Sequence, residues 1–105
     1  MKKIFLLNVV AMAMLSAVQA HGGENLAGET LYKNVCKNCH GPTARGMASF
    51  PKLSGNTAEF LEMRLKQYRA GEKLGPNTAL MQPVAAVMSD EEIVTVAAYI
   101  STSFK

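Results

Sequence analysis

The stretch VCKNCHGPTARG, residues 35–46, holds both cysteines of a 105-residue chain, Cys36 and Cys39, with His40 directly after the second. Three chemistries fit such a triplet: a redox thiol pair, a metal site, or the anchor for a larger group. A thiol–disulfide enzyme needs Cys-x-x-Cys at the start of a helix, where the dipole lowers the first thiol's pKa, and normally inside a β-rich scaffold. Here the hydrophobic spacing predicts a helix over roughly Leu26 to Cys39, with Leu31 and Val35 on one face and Gly28 and Tyr32 on an adjacent one. The pair therefore falls near a helix end, and no strand pattern precedes it. A structural zinc site needs four ligands, and only His21 is left to complete the set. Covalent haem attachment is the third reading, and Cys-x-x-Cys-His is its signature. Two thiols three residues apart reach the two vinyl groups on one porphyrin edge, and the next residue projects its imidazole towards the iron. Three fixed residues at roughly 2% frequency each recur by chance about once in a thousand chains of this length.

The rest of the chain supports this third reading. It opens MKKIFLLNVVAMAMLSAVQA, residues 1–20: two lysines, an apolar run from Ile4 to Leu15, and small residues ending at Ala20. That is the pattern of a cleaved signal peptide, with an apolar run too short for a membrane span. The expectation is a leader over residues 1–20 and one domain over 21–105, exported to the periplasm, where such haems are attached. Loss of Lys2 and Lys3 leaves nine basic against eight acidic residues, so the sequence pI near 9.0 belongs mostly to the precursor. Cations interspersed with acids and without interleaved aromatics exclude a nucleic-acid surface. A domain of some 85 residues buries only about 60–65% of its unfolded surface and needs a staple or a cofactor.

Two further helices are expected. One follows Asn56, read as an N-cap with Glu59 completing a capping box, and runs to Gly71 with Leu61, Leu65 and Tyr68 as its apolar stripe. The other starts at Ser89, with Asp90 and Glu91 in its first turn and Glu92 closing the box. Its inner face is Ile93, Val96, Ala97, Ile100 and Phe104. Between these helices, Gly41–Gly55 and Gly71–Pro83 are rich in glycine and proline and read as loops. Loops this long in so small a domain imply that they enclose something, and a haem fills that role. The expected class is all-α, three main helices plus loops around one haem.

With His40 on one side of the iron, the opposite side is open or takes a second ligand, and methionine is the next candidate. Met63 lies within the second helix and reads as core filler. Met47 follows His40 too closely to reach the other side, and Met88 adjoins the Ser89 cap, where a hydrophobic staple packs. Met81 stands in the Gly71–Pro83 stretch, where Pro83 stiffens the chain. Met81 is the expected second axial ligand, with Met88 its rival.

The segments AGETLYKNVCKNCHG, FPKLSG, FLEMRLKQYRAGEK and MQPVAAVMSDEEIVTVAAYI together resemble the class I c-type cytochromes, specifically small bacterial mono-haem ones and the single halves of di-haem ones. The resemblance implies that Gly28 and Tyr32 of the first helix meet Tyr99 of the last. It also implies that the Pro51 carbonyl accepts a hydrogen bond from the His40 Nδ1–H, that Leu53 packs on the haem, and that Met81 takes the family's methionine position. The site would then be Cys36 and Cys39 as thioether anchors for one haem c, His40 and Met81 as iron ligands, and Pro51 and Leu53 as supports. The function expected from this is one-electron carriage, not enzyme catalysis, between a reductase donor and an oxidase or reductase acceptor. No nucleic acid is involved, and membrane contact arises only through docking to membrane-bound complexes. Lys33, Lys37 and Lys52 are expected around the docking edge. The rival expectations are a haem subunit of a larger dehydrogenase or reductase, and a haem enzyme or gas binder with an open sixth position.

Overall fold

Ser89 begins a helix because its side chain can take the place of a missing turn. Its Oγ accepts the Glu92 N–H at 3.1 Å, and the Glu92 carboxylate accepts the Ser89 N–H at 3.0 Å, so two orphan donors are satisfied reciprocally. The computed structural model describes residues 22–105; the expected leader, residues 1–20, and His21 lie outside the described residues. Within them the chain forms α1 (Gly22–Leu31), a π-helical turn (Tyr32–Cys36), α2 (Lys37–His40), α3 (Ala58–Arg69), α4 (Thr78–Ala86) and α5 (Asp90–Ser103). No strand forms among the described residues, which makes the domain all-α as expected, though with one more helix than the three anticipated.

The first helical run extends from Gly22 to His40 and is interrupted by the π turn, in which the Lys37 N–H donates to the Tyr32 carbonyl five residues back. That extra residue breaks the 3.6-residue register. Val35, expected on the same face as Leu31, is consequently exposed, whereas Tyr32 is buried.

The start of α3 falls one residue later than the sequence suggests. Thr57, not Asn56, is the N-cap: its backbone is extended and its Oγ1 accepts the Phe60 N–H at 3.1 Å. The Asn56 amide turns back to the Leu53 carbonyl at 3.0 Å, so Glu59 has no box to close. Gly71 takes the left-handed conformation that ends the helix, φ +84°, as read from the sequence.

The largest departure is α4, which occupies part of the stretch expected to be loop. The buried Thr78 hydroxyl accepts the Leu74 N–H at 2.9 Å and donates to the Gly75 carbonyl at 2.7 Å, closing a turn from which Ala79, Leu80, Met81 and Gln82 continue as helix. Pro83 lies inside α4, where its missing N–H leaves one carbonyl of the preceding turn without an intrahelical partner.

Tyr32, Ala44, Leu61, Met88, Ile93, Val96, Ala97 and Ile100 form the core, with α5 packed against both α1 and α3 and α3 packed against α4. The four α5 positions at 93, 96, 97 and 100 are buried as their spacing requires. Gly28 sets the approach of α1 to α5: a Cβ placed there would stand 2.7 Å from the Thr95 carbonyl oxygen and 2.8 Å from the Tyr99 Cβ. Gly28→Ala forces those backbones apart at a cost of about 1–3 kcal/mol, offset in part by about 1 kcal/mol of helix propensity. A lower denaturant midpoint of the haem-loaded protein is the expected result. Where α1 and α5 cross, Tyr32, Tyr99 and Phe104 pack as three rings with centroids 4.9–6.0 Å apart. No helix among the described residues is long and apolar enough to cross a membrane.

Candidate haem-attachment site

The attachment triplet straddles the junction between the π turn and α2. Cys36 is half-buried and packs on the core, Cys39 is exposed, and neither is disulfide-bonded. Burial pushes the Cys36 thiol up to about 11, the reverse of the depressed pKa that a redox nucleophile needs. The thiol–disulfide reading therefore fails on its electrostatics as well as on helix placement.

His40, the last residue of α2, is buried, with 5% of its surface exposed. Its Nδ1 lies 2.8 Å from the Pro51 carbonyl oxygen, so Nδ1–H donates there and Nε2 is the ring nitrogen left for a metal. This contact is made possible by the loop that follows. Gly41 turns out of the helix at φ +86°, and the buried Ala44 carbonyl accepts the N–H groups of Leu53 at 2.8 Å and Ser54 at 3.0 Å. The loop is thereby folded back so that residues 50–54 lie against residues 40–46. On the other side, the Tyr32 hydroxyl donates to the Gly41 carbonyl at 2.6 Å, tying the histidine's neighbour to the aromatic trio. Leu53 is partly buried and packs against the core beside this loop.

Two thiols spaced for the two vinyl groups, and one imidazole nitrogen left over by the hydrogen bond to the Pro51 carbonyl, form a donor set that fits a covalently held haem.

The four methionines among the described residues separate by environment. Met47 and Met63 are each 47% exposed, so Met63 is not the core filler its sequence position suggested. Met88 is buried in the core cluster that also holds Leu61 and Ile93. Met81 is half-buried on α4, a helical position where a loop was expected.

A model of the cytochrome c family matches residues 26–104, which includes the triplet, the 41–55 loop and all of α3 to α5. The chain belongs to the cytochrome c family. Among its relatives, cytochrome c-554(548) of Halomonas halodenitrificans is 43% identical over 81 residues, covering 76% of this chain and 96% of that one. A thiosulfate dehydrogenase electron acceptor of Stutzerimonas stutzeri is 37% identical over 98 residues, covering 89% of this chain but 44% of that protein. The reduced recombinant cytochrome c4 from Pseudomonas stutzeri superposes with a TM-score of 0.72 at 29% identity, covering 82% of this chain and 50% of that one. As a cytochrome c, the chain carries one covalently attached haem c and transfers electrons; it is not an enzyme.

Several features of the cytochrome site were missed from sequence. Gly46 and Ala44, which hold the 41–55 loop together, read only as loop residues. Arg69, which donates to the Met88 carbonyl at 3.2 Å and pairs with Asp90 at 2.5 Å, ties the end of α3 to the turn between α4 and α5. A cation in the last turn of a helix, as Arg69 is, was the available signal, but its partners are distant in sequence.

Tyr32 also gives this site a pH dependence. Burial raises the phenol from 10.0 to about 12. Because the neutral phenol is favoured in the folded state, its contribution is fully present below pH 10 and is lost as pH rises from 10 to 12. In Tyr32→Phe that alkaline slope should disappear. The same variant is expected to lose about 1–3 kcal/mol at neutral pH by leaving the Gly41 carbonyl unpaired. Urea midpoints measured from pH 7 to pH 12 check both effects.

Proposed function

We propose that the chain is a periplasmic one-electron carrier between respiratory redox partners, its mature form starting at His21 after removal of residues 1–20. Cys36 and Cys39 would hold the haem, and His40 and Met81 would be the ligands to its iron. The observation that carries this reading is the His40 geometry: a buried imidazole directly after Cys39, with Nδ1 committed to the Pro51 carbonyl at 2.8 Å and Nε2 left over.

When bound, the haem supplies a one-electron ferric–ferrous couple. The protein's part is to hold that couple still and dry. Pro51 fixes the ring orientation of His40 and raises its basicity. A Met81 thioether and a buried site both favour the ferrous state, so the potential is expected to be high for a haem protein. With His40 and Met81 both given to the iron, the haem would have no place for a substrate and would serve electron transfer alone.

The segment from Thr30 to Ala58 carries four basic residues, Lys33, Lys37, Arg45 and Lys52, and no acidic one. Lys33 is engaged by Glu29 at 2.5 Å, whereas Lys37, Arg45 and Lys52 make no ion pair among the described residues. These three exposed cations suit brief, salt-sensitive docking to acidic faces of a donor and an acceptor. Contact with membrane-bound complexes takes place through the same docking.

A second reading is favoured by the likeness to the thiosulfate dehydrogenase electron acceptor: a haem protein dedicated to one dehydrogenase. One set of measurements separates these readings from an open-site haem protein. The carrier predicts a weak far-red methionine–ferric band in the oxidised protein, negligible carbon monoxide binding when reduced, and electron exchange with several partners that slows as salt rises. Absence of the band together with rapid carbon monoxide binding would sink it, and stoichiometric co-purification with a single dehydrogenase would favour the second reading. The mass of protein recovered from the periplasmic fraction tests the start at His21.

A further inference from the structure

Gly46 lies where the two strands of the loop that supports His40 come closest. Its N–H donates to the His40 carbonyl at 2.8 Å, so it is fixed to the histidine's own backbone. Its φ is +79°, and a Cβ added to it would stand 2.4 Å from the Phe50 carbonyl oxygen, 3.0 Å from the Pro51 carbonyl carbon and 3.1 Å from the Lys52 nitrogen. All three of those atoms are backbone, so no side-chain rotation relieves the overlap. The Pro51 carbonyl carbon carries the oxygen that receives the His40 Nδ1–H.

We propose that Gly46 is a positioning residue for the iron-binding histidine: having no side chain, it lets residues 50–52 lie close enough for the Pro51 carbonyl to reach Nδ1. The proposal rests on the reading of His40 as an axial ligand. The mechanics follow from the two ends of the 50–54 segment. Beyond Pro51 the segment is held to the Ala44 carbonyl through the Leu53 and Ser54 N–H groups. Before Pro51 the Phe50 N–H donates to the Met47 carbonyl at 2.8 Å, in a turn that closes directly over Gly46 because residue 46 has no side chain. A methyl group at residue 46 therefore pushes Phe50 and Pro51 outward around a fixed anchor, and the Nδ1–O separation grows from 2.8 Å beyond hydrogen-bonding range. Without that acceptor His40 is a weaker base toward iron, the ferric state is less stabilised, and the potential rises.

The experiment compares haem-loaded Gly46→Ala with Gly55→Ala. Gly55 has nearly the same left-handed backbone, φ +80°, but nothing lies within 4 Å of a Cβ placed there. Both variants carry the conformational strain, and only the first carries the clash. Exchange of the His40 Nδ1–H proton, followed by NMR in the ferrous protein, should become about tenfold faster in Gly46→Ala. At a fixed solution potential its ferric-to-ferrous ratio should fall several-fold, with both quantities unchanged in Gly55→Ala. If Gly46→Ala accumulates poorly, Ala48→Gly in the same chain restores stability, since Ala48 is itself left-handed at φ +50°, and the double variant is compared with Ala48→Gly alone. The proposal is overturned if the 46 and 55 variants shift both quantities equally or not at all. NMR of the unaltered ferric protein tests the underlying reading separately. His40 ring protons lacking large iron-induced shifts would refute His40 as a ligand, while the exchange rates would still decide the role of Gly46.

Discussion

Met81→Ala is expected to keep the haem bound through Cys36 and Cys39 while opening one side of its iron. Three changes should appear together: loss of the far-red methionine–ferric band, carbon monoxide binding to the reduced protein, and a fall in potential. Axial ligands span about 0.8 V across haem proteins, and loss of a thioether should use a substantial part of that range. Met88→Ala is the discriminating control. Met88 is buried in the core, so its truncation should cost about 2–5 kcal/mol and leave the spectrum alone. If Met88→Ala opens the iron and Met81→Ala does not, the axial assignment belongs to Met88. Met81 stands on a helix, two residues before Pro83, so its aim depends on how α4 packs against α3. Variants that loosen that packing should show the same spectral change in weaker form.

Tyr32→Ala should be the most damaging change to the fold outside the attachment triplet. The side chain is 1% exposed, stacks near Phe104 and Tyr99 with centroids at 4.9 and 6.0 Å, and donates to the Gly41 carbonyl. Truncating a buried aromatic costs about 3–5 kcal/mol out of a total stability of about 5–15 kcal/mol. In a domain of this size that corresponds to a fall in melting temperature of roughly 15–30 °C. Because Gly41 directly follows His40, the spectrum of the folded fraction should also broaden. Thermal unfolding followed separately in the haem band and in the far ultraviolet measures both effects.

What could be read from the sequence was what a few residues decide locally. The capping box at Ser89 and Glu92 and the apolar spacing of α5 use contacts within one or two turns, and both are found in the structure. The attachment triplet is likewise a local pattern, and the leader expected over residues 1–20 agrees with its haem reading. The structure departs from the local pattern where the deciding contact is distant or breaks a rule. Asn56 is a better N-cap by composition than Thr57, but its amide is drawn to the Leu53 carbonyl. The start of α4 is made by Thr78 folding back on Leu74 and Gly75 rather than by a cap at Asn77, and Pro83, a helix breaker, lies within it. Val35 shares a face with Leu31 only in an unbroken α-helix, and the π turn between them leaves no compositional mark. The support given by Gly46 depends on a backbone four to six residues away, which spacing alone does not reveal.

The π turn at Tyr32–Cys36 has a consequence for transplanting this chemistry to other scaffolds. Each residue of an α-helix advances about 100° around its axis, so one extra residue in a turn rotates everything beyond it by about that angle. Gly28 and Tyr32, before or at the start of the turn, face α5, while Cys39 and His40 lie after it. Deleting a single residue such as Asn34 would let the run close as an unbroken α-helix with Cys39 and His40 facing nearly as before, whereas straightening the turn with every residue kept would swing them about a quarter-turn around the helix axis. The triplet would then point at the wrong neighbours although every one of its residues was still present. A designer who grafts Cys-x-x-Cys-His onto a regular helix inherits the same misalignment, and must carry the widened turn along with the five-residue motif.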